Sequence, residues 1–499
     1  MAARRSSTHE ETAWLFTTPT IPQRGARAMT TAHAPVFDAL HLQSAAQDVM
    51  LATHAPAWLI RQRQQTRVQQ LLQAARGSAL YRERMDGDTP ALERMAPVRR
   101  AELMARFDDW VTDPALRLDE LRAFTLDASR AGQPWLGRYV VWESSGTSGM
   151  PGIFVQDARA MAVYDAIEAT RHRPPARATP LPFDPFGALQ LLGAADRHAL
   201  VTATGGHFAS VVSFERLRAI NPWVAASSRS FCVMQPVDEL VAQLNHFQPT
   251  VLATYPTAAA LLADEAEAGR LRIRPRCVMM GGETLSHAVR ERVARVFGAS
   301  VRASYGTSEF LPIAWECAHG HLHVNADWVL LEPVDDCHQP VPAGERSHTV
   351  LLTNLANRVQ PLIRYDLGDR ITWHGEGCAC GSHLPVIEVE GRSDDVMRVP
   401  ARRAGEQVSL LPLALCTVLE EEGGVFDFQL RQQGPNTLVL RLPGSDAAAA
   451  AAVERCRLAL QDFAQRQGAE PIRVLGELGC AVPRGRSGKA CRVALDAAA

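Results

Sequence analysis

The chain has 499 residues, 46% hydrophobic and 21% charged, the balance of a globular protein large enough for at least two domains. Lys plus Arg number 52 against 54 Asp plus Glu, a net charge of −2, so no global field draws the chain to nucleic acid or to an anionic membrane. No run approaches the roughly 20 apolar residues of a membrane span, no signal-peptide core opens the chain, and 10 cysteines are too few and too uneven for a disulfide framework, so a soluble cytoplasmic protein is expected.

Residues 1–30 are rich in Arg, Ser, Thr and Pro without periodicity and read as a flexible tail, with Met29 a candidate true start. From Phe37 to Ala128 apolar residues recur at helical spacing, Asp113 before Pro114 is a capping candidate, and the basic cluster Arg61–Arg67 reads as a solvated helix face. The strand-like run Tyr139–Trp142 then leads into Ser144-Ser145-Gly146-Thr147-Ser148-Gly149-Met150-Pro151-Gly152. Glycines let a backbone approach a polyanion, and successive N–H groups and hydroxyls donate to its oxygens, so this loop is suited to phosphate. It is not a Walker loop, because no Gly-Lys-Ser/Thr opens a following helix.

Apolar strands and helical segments alternate next: Ala199–Thr204 before Gly205-Gly206, Thr250–Pro256 before the helix Ala258–Ala268, and Arg276–Met280 before Gly281-Gly282-Glu283 and the helix Ser286–Phe297. That alternation predicts an α/β domain with ligand loops at strand ends. After Ser347 the pattern turns to antiparallel β, with His348–Leu352 and Arg370–Trp373 as strands. From Gly391 a smaller α+β unit is expected: helix Leu411–Glu422, strands Phe426–Gln433 and Thr437–Leu442, and helix Ala447–Arg466, whose alanine run reads as helix rather than linker.

Four further segments follow the hydroxyl-glycine loop: Tyr305-Gly306-Thr307-Ser308-Glu309, Ile363–Asp369, Gly391-Arg392-Ser393-Asp394-Asp395, and Ser487-Gly488-Lys489-Ala490-Cys491-Arg492-Val493. In this order they resemble the adenylate-forming acyl/aryl-CoA ligase superfamily, and within it the phenylacetate–CoA ligase-like branch, over nearly the whole chain. The resemblance implies a large N-terminal adenylate-forming domain of mixed sheets with helices (31–391) and a small mobile α+β lid (392–499) hinged near 392–395 at Asp394. It implies an AMP-forming ligase of a carboxylic acid, aryl or arylacetic, that makes an acyl-adenylate from ATP and then a CoA thioester.

Residue by residue, the resemblance places Ser144–Gly149 on the ATP phosphates, with Thr147 at phosphate or Mg²⁺. Glu309 falls on Mg²⁺, while Gly281, Gly282 and Glu283 lie beside the adenine and Tyr305 stacks under it. Gly306 and Thr307 belong to the same nucleotide loop. Asp369 accepts from the ribose hydroxyls, Arg392 contacts phosphate or ribose, and Lys489 bridges the carboxylate and the α-phosphate. Their chemistry suits these tasks: a carboxylate accepts two hydroxyls, a guanidinium forks onto anions, and Mg²⁺ takes few protein ligands.

Cys317, His323, Cys378 and Cys380 make a Cys₃His set fit for a structural Zn²⁺, as in members of that branch, with His319, His321 and His383 as rival ligands. Two departures stand out. Met150 occupies the usual place of a lysine, and Met397–Gly405 lacks the glycine-containing pattern that helps form the CoA tunnel, so a carrier-protein thiol or an amine is an alternative acceptor. A silent nucleotide-binding module is the remaining reading, and homodimerisation follows from the resemblance alone. Gly205-Gly206-His207-Phe208-Ala209 and the Ala303-Ser304-Tyr305 strand end are expected to line the acid pocket, where small residues would admit a flat aromatic acid.

Overall fold

The computed structural model describes residues 36–85, 92–144, 151–172, 196–283, 285, 287–375, 377–390, 397–403, 405–410, 412–425, 428–482 and 493–495. Contacts divide the chain into Met1–His33 and Ala34–Ala499, and everything below lies in the second unit. The expected tail, most of the phosphate loop (Ser145–Gly149), Arg392, Asp394 and Lys489 lie outside the described residues.

Helices α1 (Ala39–Thr53) and α2 (Ala57–Ala75) open the described chain, and after several short helical turns α3 (Leu118–Thr125) follows. Asp113 caps no helix; its carboxylate accepts the Ala115 amide at 2.9 Å in a turn ahead of α3. Arg67 on α2 also departs from the solvated face expected for it. It is 9% exposed, pairs with Asp48, donates to the Asp327 carbonyl and lies 3.5 Å from the centre of the Trp328 ring. A buried arginine is tolerable because acceptors and an aromatic face replace its water.

The hairpin of β1 (Tyr139–Glu143) and β2 (Ile153–Asp157) flanks the hydroxyl-glycine segment in the chain and runs into α4 (Ala158–Thr170), which Asp157 caps by accepting the Ala160 amide. A nine-stranded sheet forms the centre. Its parallel half runs β4 (Ser228–Cys232), β3 (His198–Thr202), β5 (Val251–Thr254), β6 (Cys277–Met280) and β7 (Ser300–Tyr305). The crossovers are α5 (Ala209–Ile220), α6 (Val237–Phe247), α7 (Pro256–Glu267) and α8 (His287–Phe297). Helices covering parallel strands leave the loops at the carboxyl ends of those strands free for ligand.

The sheet continues antiparallel from β7 through β8 (Ala314–Glu316), β9 (Leu322–Val324) and β14 (Val386–Glu390) to β13 (Arg370–Gly375). A separate antiparallel sheet joins β10 (Val329–Val334), β11 (Thr349–Asn354) and β12 (Leu362–Asp366). The two strands expected after Ser347 therefore exist, but in different sheets. Beyond β14 come the hairpin β15 (Met397–Pro400) and β16 (Gln407–Leu410), then α9 (Pro412–Glu421) and α10 (Ala447–Arg466). They accompany a four-stranded sheet of β19 (Arg473–Leu478), β18 (Thr437–Leu442), β17 (Gln429–Gly434) and β20 (Val493–Leu495). The alanine run is helix, with Asp446 accepting the Ala449 amide at its start.

Two apolar clusters form the core. One joins the N-terminal helices, the β1–β2 hairpin and the three-stranded sheet; the other joins the parallel half of the large sheet to the C-terminal elements. Among the described residues no helix is long and apolar enough to cross a membrane.

Candidate active site and cysteine–histidine cluster

A cavity of about 1730 Å³ opens at the carboxyl ends of β3, β5, β6 and β7. Ser144, Gly281, Gly282, Glu283, Tyr305, Gly306, Thr307, Glu309 and Asp369 all line it. Residues separated by more than 200 positions in the chain meet here because the loops at the parallel strand ends share the cavity with the end of β1 and the turn between β12 and β13.

The Tyr305–Glu309 loop is tightly built. A Cβ on Gly306 would lie 1.7 Å from the Leu311 carbonyl oxygen, so only glycine permits this turn. The Thr307 amide donates to the Phe310 carbonyl at 3.1 Å, the Trp142 indole to the Ser308 carbonyl at 2.8 Å, and the Asn354 amide to the Glu309 carbonyl at 3.0 Å. Three elements therefore fix where the Glu309 side chain starts. That side chain is buried, and the Tyr365 hydroxyl donates to it; burial holds this phenol well above its ordinary range and keeps it protonated. The Thr307 hydroxyl is buried and has no partner among the described residues, an acceptor-seeking group at the wall of the cavity.

Tyr305 donates its hydroxyl to Asp369 Oδ2 at 2.8 Å, which ties the end of β7 to the turn between β12 and β13. Asp366, by contrast, accepts from Thr349 Oγ1 at 2.6 Å and from the Gly368 amide at 3.1 Å, shaping the turn that presents Asp369. Across the cavity, a Cβ on Gly281 would stand 2.7 Å from Ser304 Oγ, and one on Gly282, at φ +82°, would stand 3.1 Å from the Tyr255 ring. Neither position has ready room for a side chain, and Gly282 also takes a left-handed φ. At the neck of the hydroxyl-glycine loop, the Ser144 amide donates to the Gly152 carbonyl at 2.9 Å, and Ser144 Oγ accepts the Gly152 amide at 2.8 Å.

Two groups were not singled out from the sequence. Arg100 donates to Ser144 Oγ at 3.3 Å and brings a guanidinium to the loop neck, and Tyr365 meets Glu309. Nothing local marks Arg100, while Tyr365 sat inside a recognised motif. His207, expected among the acid-pocket residues, points elsewhere: it is fully buried, and its Nε2 lies 2.9 Å from the Asp127 carbonyl.

The second cluster sits behind β7. Cys317 follows β8, His323 lies on β9, and Cys378 and Cys380 lie in the turn between β13 and β14; one ligand atom from each comes within 4.8 Å of all the others. Cys317 Sγ and Cys378 Sγ are 3.8 Å apart, and Cys380 Sγ is 3.4 Å from His323 Nε2. A tetrahedral zinc with Zn–S bonds near 2.3 Å sets neighbouring sulfurs about 3.8 Å apart, so the donors fit a closed structural site. His323 Nδ1 donates to the Leu384 carbonyl at 2.8 Å and its ring stacks on Trp315, which aims Nε2 inward. Burial opposes ionisation of Cys378, yet the Cys380 amide and the His321 and His323 rings bring its thiol down to about 5; burial and the adjoining thiol push Cys380 up to about 11. Of the rival ligands, His321 touches Cys378 at 3.2 Å from an exposed position, and His319 and His383 stand outside the four-residue group.

The fold, a mixed α/β architecture of large sheets and helices, is similar to that of solved acyl-CoA ligases. Residues 144–345 match the AMP-binding enzyme family. The structure is similar to that of a 2-hydroxyisobutyryl-CoA ligase in complex with 2-HIB-AMP and CoA in the thioesterification state, at a TM-score of 0.54 and 21% identity over 89% of this chain and 91% of that one. The same ligase in its postadenylation state with 2-HIB-AMP gives a TM-score of 0.53 at 21% identity over the same shares. By sequence, protein CapK of Staphylococcus aureus is 28% identical over 141 residues, which spans 27% of this chain and 29% of CapK.

Proposed function

We propose that this protein is an ATP-dependent, AMP-forming ligase of an aryl or arylacetic acid, akin to the phenylacetate–CoA ligases, with CoA as the acceptor. The observation that carries the reading is the convergence of Thr307, Glu309, Tyr305, Asp369 and the Gly281–Glu283 turn on one cavity at the strand ends. The carboxylate of the acid attacks the α-phosphorus of ATP, an acyl–O–P bond forms, and the bond to pyrophosphate breaks. The CoA thiol, losing its proton, then attacks the acyl carbon and AMP leaves.

The main barrier is the approach of two anions, so positive and hydrogen-bonding groups aimed at the α-phosphate lower it. We assign that work to the Thr307 hydroxyl, to Lys489 and Arg392, and to the Ser144–Gly149 loop. Glu309 would hold Mg²⁺, which neutralises phosphate charge when bound. Tyr305 offers a ring face to adenine and helps aim Asp369 at the ribose. Cys317, His323, Cys378 and Cys380 would hold a structural zinc that pins the β8–β9 hairpin behind Tyr305. Residues 392–499 would act as the lid that turns about Asp394.

The test is acid-dependent ATP–pyrophosphate exchange over a panel of aryl and aliphatic acids, with mass-spectrometric detection of acyl-adenylate and acyl-CoA. Acyl-CoA is expected, and Lys489→Ala should abolish adenylate formation while ATP still binds. Exchange unchanged in that variant, or absent with every acid, overturns the proposal. Adenylate that accumulates in the presence of CoA would instead assign the acceptor role to a carrier thiol or an amine.

A further inference from the structure

The same cavity extends away from the nucleotide loops between α4 and α5. A buried ion pair links those helices, Arg216 Nη1 lying 3.1 and 3.0 Å from the two Asp165 oxygens. Tyr164 and Glu168 on α4, His172 just beyond it, and Ser210, Ser213 and Phe214 on α5 face this lobe. On each helix these positions recur at three and four, so one face of each forms a wall.

Tyr164 marks the reactive end. Its hydroxyl accepts from Asn354 Nδ2 at 2.9 Å, and the same amide donates to the Glu309 carbonyl. From Tyr164 to His172 the helical rise covers about 12 Å, so His172 stands at the remote end of the lobe.

His172 is 8% exposed. Its Nδ1 lies 3.5 Å from Glu168 Oε1, while Nε2 is buried with no partner among the described residues. Burial holds this imidazole below its ordinary range, against the opposing pull of Glu168, so the ring is neutral near pH 7. With the proton on Nδ1, Nε2 presents a lone pair, and a buried acceptor left unpaired costs free energy that a ligand donor recovers. The ring is held in place by its neighbour Arg171, whose guanidinium is tied to Asp327, Asn325, Thr53 and the Val49 carbonyl. Phe214 supplies an apolar wall beside the Ser210 and Ser213 hydroxyls.

We infer that the acid this site takes carries a hydrogen-bond donor, a hydroxyl or an amino group, at the end remote from its carboxylate, and that His172 Nε2 receives it. The inference rests on the adenylation reading and names its substrate class. A site built around a polar partner rejects the analogue that lacks it, because the site's own group is then stranded.

The experiment is pyrophosphate exchange on the full-length protein with matched acids, arylalkanoic acids with and without a para hydroxyl or amino group, in side-chain lengths from benzoate to 4-phenylbutyrate. A preference in kcat/KM on the order of tenfold to a hundredfold for the substituted acid is expected at one length. In His172→Leu that ratio should fall towards one, with the loss seated in KM for the substituted acid, and His172→Gln, which keeps an acceptor oxygen, should restore part of it. Ser213→Ala gives a second reading of the lobe if His172→Leu fails to fold, and should also lower the ratio. Equal rates for every matched pair, or a ratio untouched by His172→Leu and Ser213→Ala, overturn the inference while exchange itself persists. If no acid supports exchange, the adenylation reading fails and this inference falls with it.

Discussion

Removing the carboxylate of Asp327 should unfold this protein more readily than almost any other single truncation. Arg171, at the end of α4, carries five N–H donors, and the structure supplies five acceptors: Thr53 Oγ1 at 3.0 Å, Asn325 Oδ1 at 2.8 Å, the Val49 carbonyl at 3.1 Å, and Asp327 Oδ1 and Oδ2 at 2.7 and 3.0 Å. Both side chains of the ion pair are 0% exposed. Asp327→Ala strands two donors, each costing about 1–3 kcal/mol, and leaves a buried cation without its counter-charge, for a total of about 3–5 kcal/mol. Replacing both partners with apolar residues, Arg171→Met with Asp327→Leu, removes the stranded charge and should return the protein to within about 2 kcal/mol of the parent. Urea unfolding followed by tryptophan fluorescence reads both variants as shifts in midpoint at constant slope. A loss under about 1 kcal/mol in Asp327→Ala, or a double variant as unstable as the single one, would refute the reasoning.

Gly306→Ala must open the Gly306–Leu311 turn by more than about 1 Å, and a displacement of that size at a reacting centre costs roughly a hundredfold; pyrophosphate exchange should drop accordingly, whereas Gly137→Ala, at a surface turn with nothing near its Cβ, should leave exchange intact. Purified protein should carry about one zinc per chain by mass spectrometry, and Cys378→Ser or chelation should remove the metal and lower the melting temperature. Metal-free protein that melts with the parent would count against that assignment. Burial raises the Asp196 carboxyl, but Arg276 and Thr250 outweigh it and hold the group below 3.8. A depressed carboxyl stabilises the fold above its unfolded value and loses that contribution as pH falls towards its folded value. The stability gap between the parent and Asp196→Asn should therefore be full at neutral pH and close below about pH 3.8; a gap that widens on acidification would reverse the assignment.

Much of the site was legible in the sequence because its requirements are local. Glycines at 281, 282 and 306 answer to close backbone approaches, the alternation of apolar runs with helical segments announces a parallel sheet, and the Cys317, His323, Cys378 and Cys380 set advertises its donors by residue type. What stayed hidden depends on partners far along the chain. Arg67 looked like one more charge on a polar helix, and only the Asp327 carbonyl and the Trp328 ring, brought from 260 residues away, make its burial tolerable. Strands β11 and β13 both read as short β runs, and nothing in either says that one joins β10 and β12 while the other joins β14. His172 follows a helix like any terminal histidine, and only the folded chain shows that it lines the cavity with residues of α5.

The two ends of the cavity are made of different material. At Gly306 the main chain itself forms the wall, with no room for a methyl group before the Leu311 carbonyl. At Glu168, His172, Ser210 and Ser213 the wall consists of side-chain tips on helices whose backbones are anchored elsewhere, through Arg171 and the Asp165–Arg216 pair. Inherited substitutions at those tips change shape and polarity without touching the turn that holds Glu309. Descendants of such a chain are therefore free to diversify at one end of the cavity while the other is passed on unaltered.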